Sequence, residues 1–126
     1  MKNDSLRVVD YLEHIIDAIR QIAEYTEDID EAGFLANRLV QDAVIRNIEI
    51  IGEAARNVER TALEFVAEHD EVPWAALYAM RNRVAHGYFT VDLEIVWKTV
   101  QLDLPELRHM IEPLLKGHAA GRSLGL

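Results

Sequence analysis

Apolar residues recur every three or four positions along most of the 126-residue chain, which is the spacing of one face of an α-helix. The first such segment covers residues 5–24, and the longest covers about 31–58 after a polar turn that ends in Asp30. Asp30 can cap this second helix, while Gly33 and Asn37 can interrupt its first turns. The pattern therefore predicts two helices in the first half of the chain.

The second half shows the same period with recognisable starts and stops. The run from Thr61 to Glu64, "TALE", has the sequence of a capping box and predicts a short helix. Pro73 fits the first position of another helix, and Asp92 can cap the last long segment, which Pro105 should kink or divide. Because no segment alternates apolar and polar residues as a strand does, we predict an all-α, up-and-down bundle of about four to five helices.

Two features of the longest helix need an explanation. Gly52 lies in its middle, where glycine costs about 1 kcal/mol relative to alanine, so a close approach by another helix is expected there. The charged residues Arg46, Glu49, Glu53 and Arg56 share one face. We interpret this row as a solvated or interfacial ion-pair ladder rather than a second active site.

Composition narrows the class of protein. Half of the residues are apolar and there are only six glycines and three prolines, which is typical of one folded helical domain. We place this domain at residues 1–116 and expect a disordered tail over 117–126. There is no cysteine, no signal peptide pattern and no apolar run of the roughly 20 residues that a membrane span needs. We expect a cytoplasmic protein without a membrane partner.

The formal charge of −9 argues against broad nucleic-acid binding, which normally requires a basic surface. We therefore expect no DNA partner. A local basic site can still act on a nucleic acid, because screening at physiological salt limits the reach of distant acids to about 8 Å. Any RNA substrate should be small or presented, such as a tRNA loop.

The stretch "RNRVAHGYF", from Arg81 to Phe89, concentrates polar chemistry in this acidic chain. Arg81 and His86 are about 140° apart around a continuous helix, so they would not share a face. The helix must end for the two side chains to converge. Gly87 can supply that end, since glycine is preferred just beyond a helix C-terminus.

An arginine and a histidine at a helix end suit phosphodiester cleavage. Histidine has an ordinary pKa of about 6.5, so His86 can exchange a proton with a ribose 2′-hydroxyl or a leaving oxygen. Arg81 offers donors to the phosphate, and Asn82 can hold a phosphate or ribose oxygen in register. Arg83 lies about 200° from Arg81 around a continuous helix and is a candidate substrate or partner contact. One histidine can hardly be both base and acid, which a symmetric dimer would solve.

The motif R-x-x-x-x-H-x-Y, with asparagine after the arginine, resembles that of the HepT toxin branch of the HEPN superfamily. The flanking segments "LVQDAVIRNIEIIGEAA", "PWAALYAMRNR" and "GYFTVDLEIVWKTVQLDLPEL" are also similar, so that the resemblance covers about residues 6–115. It implies a homodimeric, metal-independent endoribonuclease with catalytic Arg81 and His86 supported by Asn82. It further implies that an MntA-type nucleotidyltransferase antitoxin attaches AMP to Tyr88 and silences the toxin.

We therefore expect an RNA-cleaving toxin of a type VII-like toxin–antitoxin system, with tRNA as its substrate. The rival hypothesis is a HEPN dimer without nuclease activity that docks a nucleotidyltransferase, because an acidic surface suits a basic protein partner. The sequence leaves open which His86 of the dimer is base and which is acid. A single Glu106-x-x-His109 lacks the second motif of di-iron bundles, so we expect neither a metal nor another cofactor.

Overall fold

The computed structural model describes the backbone of residues 2–86 and 92–124 and the side chains of residues 7–81 and 92–117. All regular elements within these ranges are helical, which confirms the predicted all-α fold. In chain order they are α1 (Lys2–Thr26), α2 (Glu31–Leu35), α3 (Arg38–Thr61), α4 (Leu63–Glu68), α5 (Trp74–His86), α6 (Leu93–Lys98), a π-helix (Thr99–Asp103) and α7 (Leu104–Leu124). None of the described helices is long and apolar enough to cross a membrane.

Helix α3 is the centre of the bundle, because it packs against both α1 and α5, while α7 packs against α1. The apolar stripes predicted from the sequence supply the contacts between these helices. Their fully buried members include Leu12, Ile16, Val44, Ile48, Ile51, Ala55, Val58 and Ile111. Burial of these side chains is the main favourable contribution to folding.

The segment predicted as one helix over about 31–58 is two helices. Asp30 caps α2 by accepting a hydrogen bond from the Gly33 amide at 2.8 Å. Asn37 then caps α3 by accepting from the Val40 amide at 3.1 Å, with an extended backbone that α-helix cannot continue. The predicted interruption at Asn37 is therefore a complete break.

The predicted capping box at Thr61 is wrong. Thr61 is the last residue of α3, and its hydroxyl donates a hydrogen bond of 2.7 Å back to the Asn57 carbonyl. Helix α4 instead follows Ala62, which offers no side-chain cap. The Thr61 hydroxyl therefore bonds within its own helix, which is the local hydrogen bond by which threonine competes with capping.

Helix α5 begins at Trp74, with the Pro73 carbonyl accepting from the Leu77 amide at 3.0 Å. Its backbone is helical through His86, so the helix does not end between Arg81 and His86. The predicted helix end at Gly87 lies outside the described residues.

The division expected at Pro105 is a π-helix over Thr99–Asp103, which ends two residues before the proline. Asp92 caps α6 through the amides of Glu94 and Ile95. The π-helix ends with the Leu104 amide donating to the Thr99 carbonyl, one residue beyond the α-helical partner. The domain boundary at residue 116 stays a prediction, and the backbone of α7 crosses it.

Candidate active site

Gly52 allows α5 to lie directly on α3 at the arginine of the motif. A Cβ atom on residue 52 would overlap the Cβ of Arg81 and would lie 2.9 Å from its Cγ and 3.1 Å from the Leu77 carbonyl oxygen. Only hydrogen fits in that space. The expectation that Gly52 marks a close helix approach is confirmed, and the element that approaches is the one that carries Arg81.

The guanidinium of Arg81 reaches across this contact to α3. Its Nη2 atom lies 3.6 Å from Oε1 of Glu53, and the two side chains are 26% and 51% exposed. The Tyr78 ring lies nearby, with its centroid 6.0 Å from Cζ of Arg81 and 4.5 Å from Cζ of Arg56. The carboxylate and the ring restrict the guanidinium on two sides while part of it stays in contact with solvent.

Arg81 forms one wall of a groove of about 260 Å³ between α1, α3 and α5. We call it the Arg81 groove. Its lining residues are His14, Arg46, Glu49, Ile50, Glu53, Ala54, Asn57 and Arg81. Two arginines balance two glutamates there, so the groove carries no net formal charge from these residues, in a chain of net charge −9. An anion is repelled less here than by the average surface of the protein.

The residues predicted for catalysis belong to one helix. Arg81 is placed in the groove wall, as described above. Asn82, Arg83 and His86 lie on the described backbone of α5, but their side chains are outside the described residues, and so is the whole of Tyr88. Their roles in catalysis, in contacts and in modification therefore stay predictions.

The neighbours of Arg81 were not predicted as part of its site. The charged row on α3 was interpreted as an ion-pair ladder. Among the described side chains, its residues make one ion pair, which joins Glu53 of α3 to Arg81 of α5. The period of the row did put Arg46, Glu49 and Glu53 on one face. The sequence alone does not show that α5 crosses that face of α3.

A larger groove of about 660 Å³ lies elsewhere, between the C-terminal half of α1 and the start of α7. Its walls are mostly aliphatic, and Arg108, His109 and Glu112 also line it. Within the described part of the chain, no group of three or more histidine, aspartate and glutamate side chains could hold a metal ion. The smaller groove is the candidate active site because it contains the arginine of the motif.

Comparisons with known proteins agree with the resemblance seen in the sequence. The family model "Ribonuclease HepT-like" matches residues 15–114. The chain is 44% identical over 107 residues to the "Probable ribonuclease HepT" of Thermococcus cleftensis, covering 85% of this chain and 94% of that protein. Among the further similar proteins are two of Methanocaldococcus jannaschii. One, a "gamma-glutamylcyclotransferase and putative RNase", is 41% identical over 106 residues, which are 84% of this chain and 46% of that one.

The other, a "putative RNase", is 35% identical over 102 residues, which cover 81% of this chain and 91% of the relative. No solved structure matches the chain at a significant level.

Proposed function

This chain belongs to the ribonuclease HepT-like family, and from that premise we propose that it is a metal-independent endoribonuclease that uses Arg81, Asn82 and His86. The observation that supports this most is the position of Arg81 in the wall of a groove on the protein surface. Its guanidinium is held by Glu53 and remains partly exposed. An arginine of this kind can stabilise the negative charge that develops on a phosphate during cleavage.

The chemistry requires only a base, an acid and a charge stabiliser. A His86 imidazole takes the proton of the ribose 2′-hydroxyl, and the 2′-oxygen forms a bond to phosphorus. The bond from phosphorus to the 5′-oxygen breaks, and that oxygen receives a proton. The products are a 2′,3′-cyclic phosphate and a 5′-hydroxyl. Arg81 donates hydrogen bonds to the non-bridging oxygens, and Asn82 holds the ribose or phosphate in register.

A homodimer supports this scheme, because two copies of α5 meeting at a two-fold axis would place two His86 side chains in one cleft, one as base and one as acid. Solution mass measured by light scattering tests this part of the proposal. We expect twice the chain mass of 14.4 kDa at the concentrations at which the enzyme is active. A monomeric mass under those conditions would overturn the dimer.

The biological role that we propose is that of a toxin in a type VII-like toxin–antitoxin system. An MntA-like nucleotidyltransferase antitoxin would transfer AMP to the hydroxyl of Tyr88, two residues after His86. An added phosphate carries negative charge, which would block the cleft and repel the RNA backbone. The excess of acids over the chain favours a presented substrate such as tRNA.

The test of the activity is cleavage of total tRNA in EDTA by the wild-type protein and by His86→Ala. His109→Ala is the matched control, because His109 is an exposed histidine of α7 outside the Arg81 groove. We expect cyclic phosphate ends from the wild type and from His109→Ala, and no cleavage by His86→Ala. Cleavage that persists in His86→Ala would refute the assignment, provided that mass spectrometry shows Tyr88 to be unmodified in all samples.

A binding module without nuclease activity is the second candidate, and the net charge of −9 favours it, because acidic surfaces suit basic protein partners better than RNA. Expression of the chain alone separates the two functions. The nuclease should arrest growth and His86→Ala should not, whereas a docking module should leave growth unchanged in both cases.

A further inference from the structure

We propose that Arg46 is a second phosphate contact of the enzyme and that the Arg81 groove binds the RNA strand beside the cleaved bond. This inference rests on the proposed function and extends it to a residue outside the sequence motif. Arg46 and Arg81 come from different helices, 35 positions apart in the chain, yet both line the same groove.

The geometry of α3 determines the distance between Arg46 and the guanidinium of Arg81. Arg46 and Glu53 are seven residues apart, which on an α-helix places them on nearly the same face and about 10 Å apart along the axis. Glu53 contacts Arg81 at the other end of that interval. Arg46 therefore lies about two helical turns from the catalytic arginine and is placed to contact a different phosphate of the same strand.

The charge of Arg46 is available to a ligand. Arg46 is exposed, and no described carboxylate forms an ion pair with it. By contrast, Arg20 and Arg108 both pair with Glu112, and Arg81 pairs with Glu53. A guanidinium that faces a groove without a carboxylate partner is suited to a phosphate, which it can bind with two parallel hydrogen bonds.

The rest of the groove fits a ribonucleotide between the two arginines. Ile50 and Ala54 provide apolar surface, and Asn57 provides both a donor and an acceptor. The carboxylate of Glu49 can accept a hydrogen bond from a ribose 2′-hydroxyl or a base N–H group. The two glutamates of the groove are thus compatible with an RNA strand whose phosphates bind at its two ends, beside Arg46 and Arg81.

The test measures binding separately from cleavage. In a His86→Ala background that cannot cut, Arg46→Ala is compared with Arg60→Ala, which removes an exposed arginine of the same helix that does not line the groove. The probe is fluorescently labelled single-stranded RNA, and Kd is followed by anisotropy across a series of salt concentrations. Thermal unfolding of each variant verifies that the fold is intact.

We expect Arg46→Ala to weaken binding about three- to tenfold and to lower the slope of log Kd against log salt by about 0.7, the value for one lost phosphate contact with a single strand. Arg60→Ala should change neither quantity by a comparable amount. Arg46→Lys, which keeps the charge, should restore the slope. Equal slopes for Arg46→Ala and Arg60→Ala would overturn the inference, even if the parent enzyme cleaves RNA through His86.

The proposed nuclease function fails by a different observation, namely a wild-type protein that does not cleave tRNA. In that case, a salt slope that still depends on Arg46 would support the groove as an RNA-binding surface of a non-cleaving protein. Where cleavage does occur, Arg46→Ala in the otherwise wild-type enzyme should raise KM and leave kcat within about twofold, as expected for a contact made equally in the ground state and the transition state.

Discussion

Gly52 and Arg81 touch backbone to side chain, since the α-carbon of the glycine faces the Cβ and Cγ atoms of the arginine with no room for another carbon between them. This contact sets the distance between α3 and α5 at the point where the side chain of Arg81, the candidate catalytic arginine, projects from α5. Stability and activity should therefore respond together to changes at position 52.

Gly52→Ala tests this coupling. Alanine is about 1 kcal/mol better than glycine in a helix, but the overlap with Arg81 should cost about 1–3 kcal/mol and displace α5. We expect a net loss of stability in urea unfolding and reduced RNA cleavage. Gly117→Ala is the matched control, because a Cβ at that helical position meets no atom within 4 Å. It should stabilise the protein or leave it unchanged, and equal effects at the two glycines would contradict the packing argument.

Glu53→Gln removes the charge that holds the Arg81 guanidinium while keeping the shape of the side chain. Because the pair is partly exposed, the free energy of unfolding should change by less than about 1 kcal/mol. Misplacement of the arginine should nevertheless lower kcat about three- to tenfold with a smaller change in KM. Steady-state cleavage of a defined RNA measures both. The control is Glu64→Gln on α4, an exposed glutamate outside the groove, and an unchanged kcat in Glu53→Gln would exclude the positioning role.

Arg81→Lys keeps one positive charge but loses the planar fork of donors. If the arginine stabilises the transition state through two hydrogen bonds, cleavage should fall about 10²–10³-fold. Single-turnover rates on tRNA would show the loss, and Arg60→Lys, made on the surface of α3, supplies the comparison. Near-normal rates in Arg81→Lys would mean that charge alone is sufficient and that the geometry of the guanidinium is not used.

Asn37 caps α3 immediately after the break between α2 and α3. Asn37→Ala removes the acceptor for the Val40 amide and should lower the free energy of unfolding by about 1 kcal/mol. Asn37→Asp should retain the cap and most of the stability. Urea denaturation of the three proteins would measure the difference, and an alanine variant as stable as the wild type would show that water replaces the cap without loss.

The sequence was sufficient for the all-α class and for the main helices, but not for their boundaries or their number, since about four to five helices were predicted and seven α-helices and a π-helix are described. Apolar stripes on α1 and α3 identify helices because burial of one face requires the helical period. Thr61 shows the limit of local signals, since its hydroxyl can bond forwards as a cap or backwards to Asn57, and the fold selected the backward bond. Asn37 shows the opposite case, where a local signal for an interruption produced a complete end of the helix.

The candidate site was predictable only along one helix. Arg81 was found through its motif, and Gly52 indicated that some helix must approach α3 closely. The pairing of Arg81 with Glu53, and the presence of Arg46 and His14 in the same groove, depend on how three helices cross. Side-chain packing between two helices determines the angle at which they cross and where along each axis they meet. The hydrophobic period of a single helix determines neither.

The π-helix at Thr99–Asp103 has a consequence for how this chain tolerates changes in length. A π-helix is wound more loosely than an α-helix, so its five residues turn the chain about as far as four α-helical residues would. A one-residue deletion within 99–103 that restored α-helical winding would therefore leave α7 nearly in phase with α6. Leu107 and Ile111 would keep facing the core. Loss of one residue elsewhere in a helix turns everything beyond it by about 100°, whereas this segment can lose one residue and still keep two consecutive helices in phase with one core.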